Sequence, residues 1–214
     1  MKPLFDKNYF SNGWYSNYLK EFKKIGEFKA KRLLEILEPK KSWKFLDVGC
    51  GMGGLVLALR KKGYKSFGLE ISDFCLNNSP AKKWIIRGNI LNLPFKKESF
   101  EVVTCFGVLE YLSKKEIEIA LDELKRVTKI FLLLETIPKF SPNSYQKYNR
   151  DEFRKKTLLT YGELVSLAEK RNFIPLGRVF TIKEEIDPDC LFIKRKKENF
   201  KILISFWKRA GYLK

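Results

Sequence analysis

Residues 44–59, Lys44-Phe45-Leu46-Asp47-Val48-Gly49-Cys50-Gly51-Met52-Gly53-Gly54-Leu55-Val56-Leu57-Ala58-Leu59, decide how this chain reads. Phe45 to Val48 is short and mostly apolar, the size of a buried parallel strand. The glycines after it allow a tight turn and a close approach of backbone to ligand before a helix begins. Strand, glycine turn and helix form a cofactor-binding arrangement. Gly49, Gly51 and Gly54 satisfy the G-x-G-x-x-G spacing of dinucleotide sites, and Glu70 lies about twenty residues on, where a ribose-binding carboxylate belongs. On spacing alone the cofactor stays open.

Asp47, at the strand end, separates the readings. A nicotinamide dinucleotide sets its pyrophosphate at the helix N-terminus, and a carboxylate beside the turn repels it. A cationic cofactor gains from the same carboxylate. The run Asp47-Val48-Gly49-Cys50-Gly51, with Gly53, resembles the first motif of class I S-adenosylmethionine (SAM) methyltransferases, in particular the small-molecule, methyltransferase-domain-11-like branch. That resemblance implies a Rossmann-like α/β fold: a doubly wound, mostly parallel seven-stranded sheet with an antiparallel last strand. It implies SAM as cofactor, with the turn Gly49, Cys50 and Gly51 close to its methionine part and Asp47 organising it. Glu70, at the end of the second strand (Ser66 to Glu70), is placed to accept hydrogen bonds from both ribose hydroxyls. The family's Gly-Asp turn after strand three is Gly88-Asn89 here, and an amide can still accept from the adenine amino group and donate to a ring nitrogen. Ile71, Ile90 and Phe106 complete the expected cofactor set.

The 214 residues, 44% of them hydrophobic, suit one domain spanning 1–214. Without an eighteen-residue apolar run or an apolar signal core in Met1 to Phe10, the chain is expected to be cytoplasmic. The four cysteines form no C-x-x-C pair and there is no histidine, so no metal site is expected. The net charge of +18 fits an anionic partner, RNA or a membrane surface, and fits equally a lysine-rich coding bias spread over solvated faces.

Around the anchor, residues 1–38 give an aromatic segment (Phe5, Tyr9, Phe10, Trp14, Tyr15, Tyr18) and then a helix with Ala30, Leu33, Leu34 and Leu37 on one stripe, stopped by Pro39. The aromatic segment folds over the site as a lid, or packs on the core. The helix after the glycine turn runs from about Gly53 to Lys62, with Gly63 as its stop. Further strands fall at Trp84 to Arg87, Phe100 to Phe106 and Ile130 to Leu134. A capping box, Ser113 to Glu116, opens the helix that ends near Val127. A second, Thr160 to Glu163, opens a helix through Lys170, and Phe173 to Ile182 with Cys190 to Arg195 make a closing hairpin. Residues 139–160 are a basic, tyrosine-rich insertion, expected on the substrate side. In 196–214, Phe200, Leu203, Ile204 and Trp207 lie at i, i+3, i+4 and i+7 of a basic amphipathic helix that packs on its own domain or lies on RNA or an anionic membrane.

The chemistry implied is in-line transfer of a sulfonium methyl, which depends mostly on positioning and is worth up to about 7–11 kcal/mol. Where many relatives carry Glu-His, this chain has Glu110-Tyr111. Glu110, Tyr111 and Glu135 are the candidates for a base, and none is assigned. The expected acceptor is an oxygen or nitrogen of a small molecule: a sugar, a lipid-linked precursor or a metabolite. The alternatives are an RNA methyltransferase and, further off, a silent SAM-fold subunit or an NAD-dependent dehydrogenase.

Overall fold

The computed structural model describes residues 5–11, 17–136, 159–177 and 189–209. Trp14 and Tyr15, nearly all of the 139–160 insertion, the end of the expected sixth strand and the last five residues lie outside these. Among the described residues the order is α1 (Lys7–Ser11), α2 (Tyr18–Leu37), β1 (Lys44–Val48), α3 (Gly54–Lys61), β2 (Lys65–Glu70), α4 (Asp73–Asn78) and β3 (Ile85–Arg87). There follow β4 (Phe100–Phe106), α5 (Lys114–Val127), β5 (Thr128–Glu135), α6 (Tyr161–Glu169), β6 (Phe173–Gly177), β7 (Asp189–Lys194) and α7 (Phe200–Arg209).

The seven strands form one sheet, ordered β3-β2-β1-β4-β5-β7-β6. Strands β1 to β5 run parallel, and β7 is antiparallel to both its neighbours, β5 and β6. Side chains alternate across the pleat, so Leu46, Val103, Leu132 and Phe192 face α5 and α6, while Phe45, Val102, Leu133 and Leu191 face α2, α3 and α7. Strand order reverses between β1 and β4, which opens a crevice at the carboxyl ends of the strands. Asp47 and Thr104 are register partners there, as are Phe106 and Glu135 one strand pair further on.

The sequence expectations for the strands and capped helices hold with small shifts at the ends. Both capping boxes form, Ser113 with Glu116 and Thr160 with Glu163. Strand β3 begins one residue later than expected because Lys82–Trp84 coil into a 3-10 turn. The tail helix differs more. It packs through buried Leu203 with Ile202, Phe206 and Trp207 beside it, whereas Phe200 and Ile204 of the expected stripe stay 48% and 44% exposed. Buried Asn199, just ahead of the helix, donates to the carbonyls of Lys129 and Lys194, and that anchorage on β5 and β7 sets the helix's rotation.

Helix α2 crosses α3 at two glycines. A Cβ on Gly26 would stand 2.1 Å from the backbone carbon of Gly54, and one on Gly54 would stand 2.1 Å from the carbonyl oxygen of Phe22. The backbones therefore touch. Alanine at 26 gains about 1 kcal/mol in helix propensity but forces the helices apart, an overpacking cost of about 1–3 kcal/mol or more. Gly26→Ala is expected to lower the urea-unfolding free energy; a variant as stable as the parent would show that the crossing has slack.

Candidate cofactor and active site

The glycine turn is built on positive φ angles, 73° at Gly49, 52° at Gly51 and 71° at Gly53. Neighbours close over it as well: an added Cβ would meet Val108 Cγ2 at 2.3 Å from Gly49 and the Tyr18 hydroxyl at 2.2 Å from Gly51. Each backbone N–H of the turn already has an acceptor. Those of Gly49 and Cys50 donate to Leu69 O at 2.8 and 3.2 Å, and that of Gly53 to Cys50 O at 2.9 Å. Gly51 N donates to Glu70 Oε2 at 2.7 Å, and Met52 N to the Tyr18 hydroxyl at 2.9 Å. Helix α2 covers the first residues of α3. A pyrophosphate needs free N–H groups and an open helix start; the turn from Gly49 to Gly53 has no N–H left over, and α2 lies on the helix start. Burial pushes the Tyr18 phenol far up, so its hydroxyl stays neutral.

Two buried carboxylates flank the turn. Glu70 is held by three backbone N–H groups, that of Gly51 and those of Ile71 and Ser72, both at 2.8 Å to Oε1. It thereby ties the end of β2 to the turn after β1, and of about four lone-pair positions on a carboxylate some capacity remains for a ligand hydroxyl. Asp47 Oδ1 accepts from Thr104 Oγ1 at 2.7 Å. Burial pushes its carboxyl up to about 6, against the Thr104 hydrogen bond and the Lys29 charge, with Glu70 and Glu135 adding to the rise.

Lys29 reaches into the same crevice from α2. Its ammonium lies 3.1 Å from Glu135 Oε1 and 3.7 Å from the centre of the Phe106 ring. Ile71 leaves an aliphatic side chain 51% exposed beside Glu70. Ile90 is buried in the main core. Asn89 Oδ1 accepts from Leu91 N at 2.9 Å, so its carbonyl is engaged in its own turn and the amide nitrogen is the group left to offer an adenine. The side chain of Cys50 turns away and packs with Val56, Ala81 and Ile85, so at this position only the backbone faces a ligand.

The aromatic segment crosses the carboxyl edge. Phe5 and Tyr9 pack edge-on against each other, and Phe5 packs likewise on Tyr111; the Tyr9 and Tyr111 hydroxyls are 2.5 Å apart. Phe10 stacks on Phe74 of α4 and joins Met52 and Phe22 in a small cluster. Ser72 Oγ donates to Phe5 O at 2.5 Å. Of the three candidate bases, Glu110 is 1% exposed, Tyr111 is held by the aromatic segment, and Glu135 is paired with Lys29.

Tyr18, Lys29 and Thr104 were not singled out as site residues from the sequence. A signal for the first two was there: Tyr18, Phe22, Gly26 and Lys29 recur at helical spacing, and a glycine within a helix marks close packing. Thr104, as the polar residue in an apolar strand beside Asp47, was the matching signal.

A parallel sheet reversing between β1 and β4 carries an acid at the end of each of β1 and β2 beside a glycine turn that offers no anion site, and residues 46–130 match the family described as a methyltransferase domain. A demethylmenaquinone methyltransferase of Staphylococcus carnosus is 33% identical over 135 residues, 55% of this chain and 54% of that protein. An uncharacterized protein of Methanocaldococcus jannaschii is 37% identical over 97 residues, 45% of this chain and 41% of that protein. The chain thus spans about half, or less, of the curated relatives it matches. Magnesium protoporphyrin IX methyltransferase from Synechocystis, solved with S-adenosylhomocysteine, shares the fold at a TM-score of 0.65 and 16% identity, over 84% of this chain and 88% of that one. Among the described residues no helix is long and apolar enough to cross a membrane, and no acid, histidine and cysteine cluster suits a metal.

The raised pKa of Asp47 has a stability consequence. Its folded value lies near 6 against an ordinary value of 3.8, so the ionised form is disfavoured by folding. The cost, about 1–3 kcal/mol, is complete above pH 6 and fades as pH falls towards the unfolded value. Asp47→Asn keeps an acceptor for Thr104 and is expected to raise the melting temperature of the ligand-free protein at pH 7.5, with the gain shrinking near pH 4. An unchanged melting temperature at pH 7.5 would place Asp47 in a wetter setting.

Proposed function

We propose that this chain binds SAM at the carboxyl edge of β1 and β2 and transfers its methyl group to a small-molecule acceptor held beneath the aromatic segment of residues 5–10. The observation that carries the reading is the pairing of buried Asp47 and Glu70 with a glycine turn whose N–H groups are all consumed, a site that favours a cationic, phosphate-free cofactor. When bound, SAM supplies an electrophilic methyl on a positively charged sulfur.

The chain's own residues do the rest. Glu70 holds the ribose hydroxyls, Ile71 supplies an apolar wall for the adenine, and Asn89 donates to it. Asp47 favours the positive charge of the cofactor's amino-acid end. Phe5, Tyr9 and Tyr111 cover the crevice and keep water from it, and the acceptor gains most from being held in line with the methyl. The acceptor atom is an oxygen or nitrogen that is neutral, or already deprotonated, when it binds. The name of the Staphylococcus relative gives a quinone as its acceptor, in keeping with a small molecule here.

A second reading, transfer to RNA, draws on the exposed Phe200 and Ile204 of α7 among exposed Lys197, Lys201 and Lys208. Labelled SAM offered with small molecules and with RNA separates the two. We expect labelled small-molecule product, and activity unchanged by combined neutralisation of Lys197, Lys201 and Lys208. Label in RNA that is lost in the triple variant would select the RNA reading.

Calorimetry is expected to show binding of SAM and S-adenosylhomocysteine, and Glu70→Ala to weaken it by about 1.5–3 kcal/mol, the range for hydrogen bonds to a charged group. The variant should also melt earlier, since three backbone N–H groups lose their acceptor. Tighter binding of a nicotinamide dinucleotide than of SAM would overturn the proposal.

A further inference from the structure

The amino-acid end of SAM is a zwitterion, and the crevice as described serves only its positive half. Glu70 and Glu135 each raise the cost of ionising Asp47 there. A ligand carboxylate brought among them meets repulsion unless a donor of positive charge stands next to it. The glycine turn cannot be that donor, because the N–H groups of Gly49, Cys50, Gly51, Met52 and Gly53 all have internal acceptors. The start of α3 cannot either, as α2 packs on Gly54 and Leu55. What α2 brings is a cation. Lys29 lies one helical turn beyond Gly26, has a side chain only 17% exposed, and extends over Phe106 to Glu135 with its charge felt at Asp47.

We propose that Lys29 binds the carboxylate of the cofactor's amino-acid end and so makes the site selective for a cofactor that retains this carboxylate. The inference rests on the SAM reading above and adds the group that tells SAM from its decarboxylated form. The Gly26–Gly54 contact makes the position reproducible, since it fixes α2 in height and rotation over the turn. The Phe106 ring face and Glu135 hold the ammonium in the crevice before any ligand arrives, which lowers the ordering cost on binding.

The test is calorimetric and needs no acceptor. SAM and decarboxylated SAM are titrated into the parent protein, Lys29→Met and Lys29→Arg, with a melting curve for each. The parent should prefer SAM by about tenfold or more, as expected for loss of a hydrogen bond to a charged group. Lys29→Met should weaken SAM by a similar factor while leaving the decarboxylated analogue as tight or tighter, and Lys29→Arg should restore part of the preference. Equal affinity of the parent for the two ligands overturns the proposal whatever the variants do, and so does a Lys29→Met variant that keeps the parent's preference or weakens both ligands alike. Failure of both ligands to bind the parent would instead overturn the SAM reading itself.

Discussion

The backbone contact between Gly26 and Gly54 is the constraint from which the site follows. Two helices approach this closely only where neither carries a side chain, and the approach puts α2 directly over the start of α3. Two further positions on the same face of α2 are then placed without freedom. Tyr18, two turns before Gly26, delivers a neutral hydroxyl to Met52 N and closes the glycine turn from above. Lys29, one turn after it, enters the crevice between Phe106 and Glu135. A glycine that weakens a helix by about 1 kcal/mol in isolation thus positions a hydroxyl and an ammonium three turns apart.

The charges of the crevice make sense only together. Three acids near one another, two of them buried, work against folding, and the rise of Asp47 to about 6 is the visible sign of that cost. Several contacts offset it: three backbone N–H groups on Glu70, the Thr104 hydroxyl on Asp47 and the Lys29 ammonium on Glu135. The compensation is incomplete at Asp47. A carboxylate left in this condition beside a turn without free N–H groups suits a cation better than a phosphate.

Much of this was legible in the sequence, for a physical reason. Strands buried on both faces read as continuous apolar runs, which is why β1, β4 and β5 could be placed to within a residue or two and Asp47, Glu70, Phe106 and Glu135 could be put on one edge. Capping boxes are local, and both were found where they were read. What stayed hidden depends on rotation about an axis that no short pattern specifies. The direction of the Cys50 side chain follows from the close approach of its sulfur to Gly68, a contact between the glycine turn and β2. The face of α7 follows from Asn199 reaching two carbonyls on other elements. The inward aim of Lys29 follows from a helix crossing, and a lysine on a helix is more often a solvated one.

The absence of histidine shapes how the covering segment and the chemistry relate. Tyr111 is one of the candidate bases, yet its side chain is already engaged. Its hydroxyl meets that of Tyr9, and its ring meets Phe5, so the side chain is committed to holding the N-terminal segment across the carboxyl edge. Glu110 is buried under that same corner. Both candidate bases at this corner are therefore taken up in closure and burial. That arrangement suits a transfer whose acceptor arrives with its lone pair available, because then the barrier is lowered by excluding water and aligning three atoms, and a closed aromatic cover over a charged crevice does both.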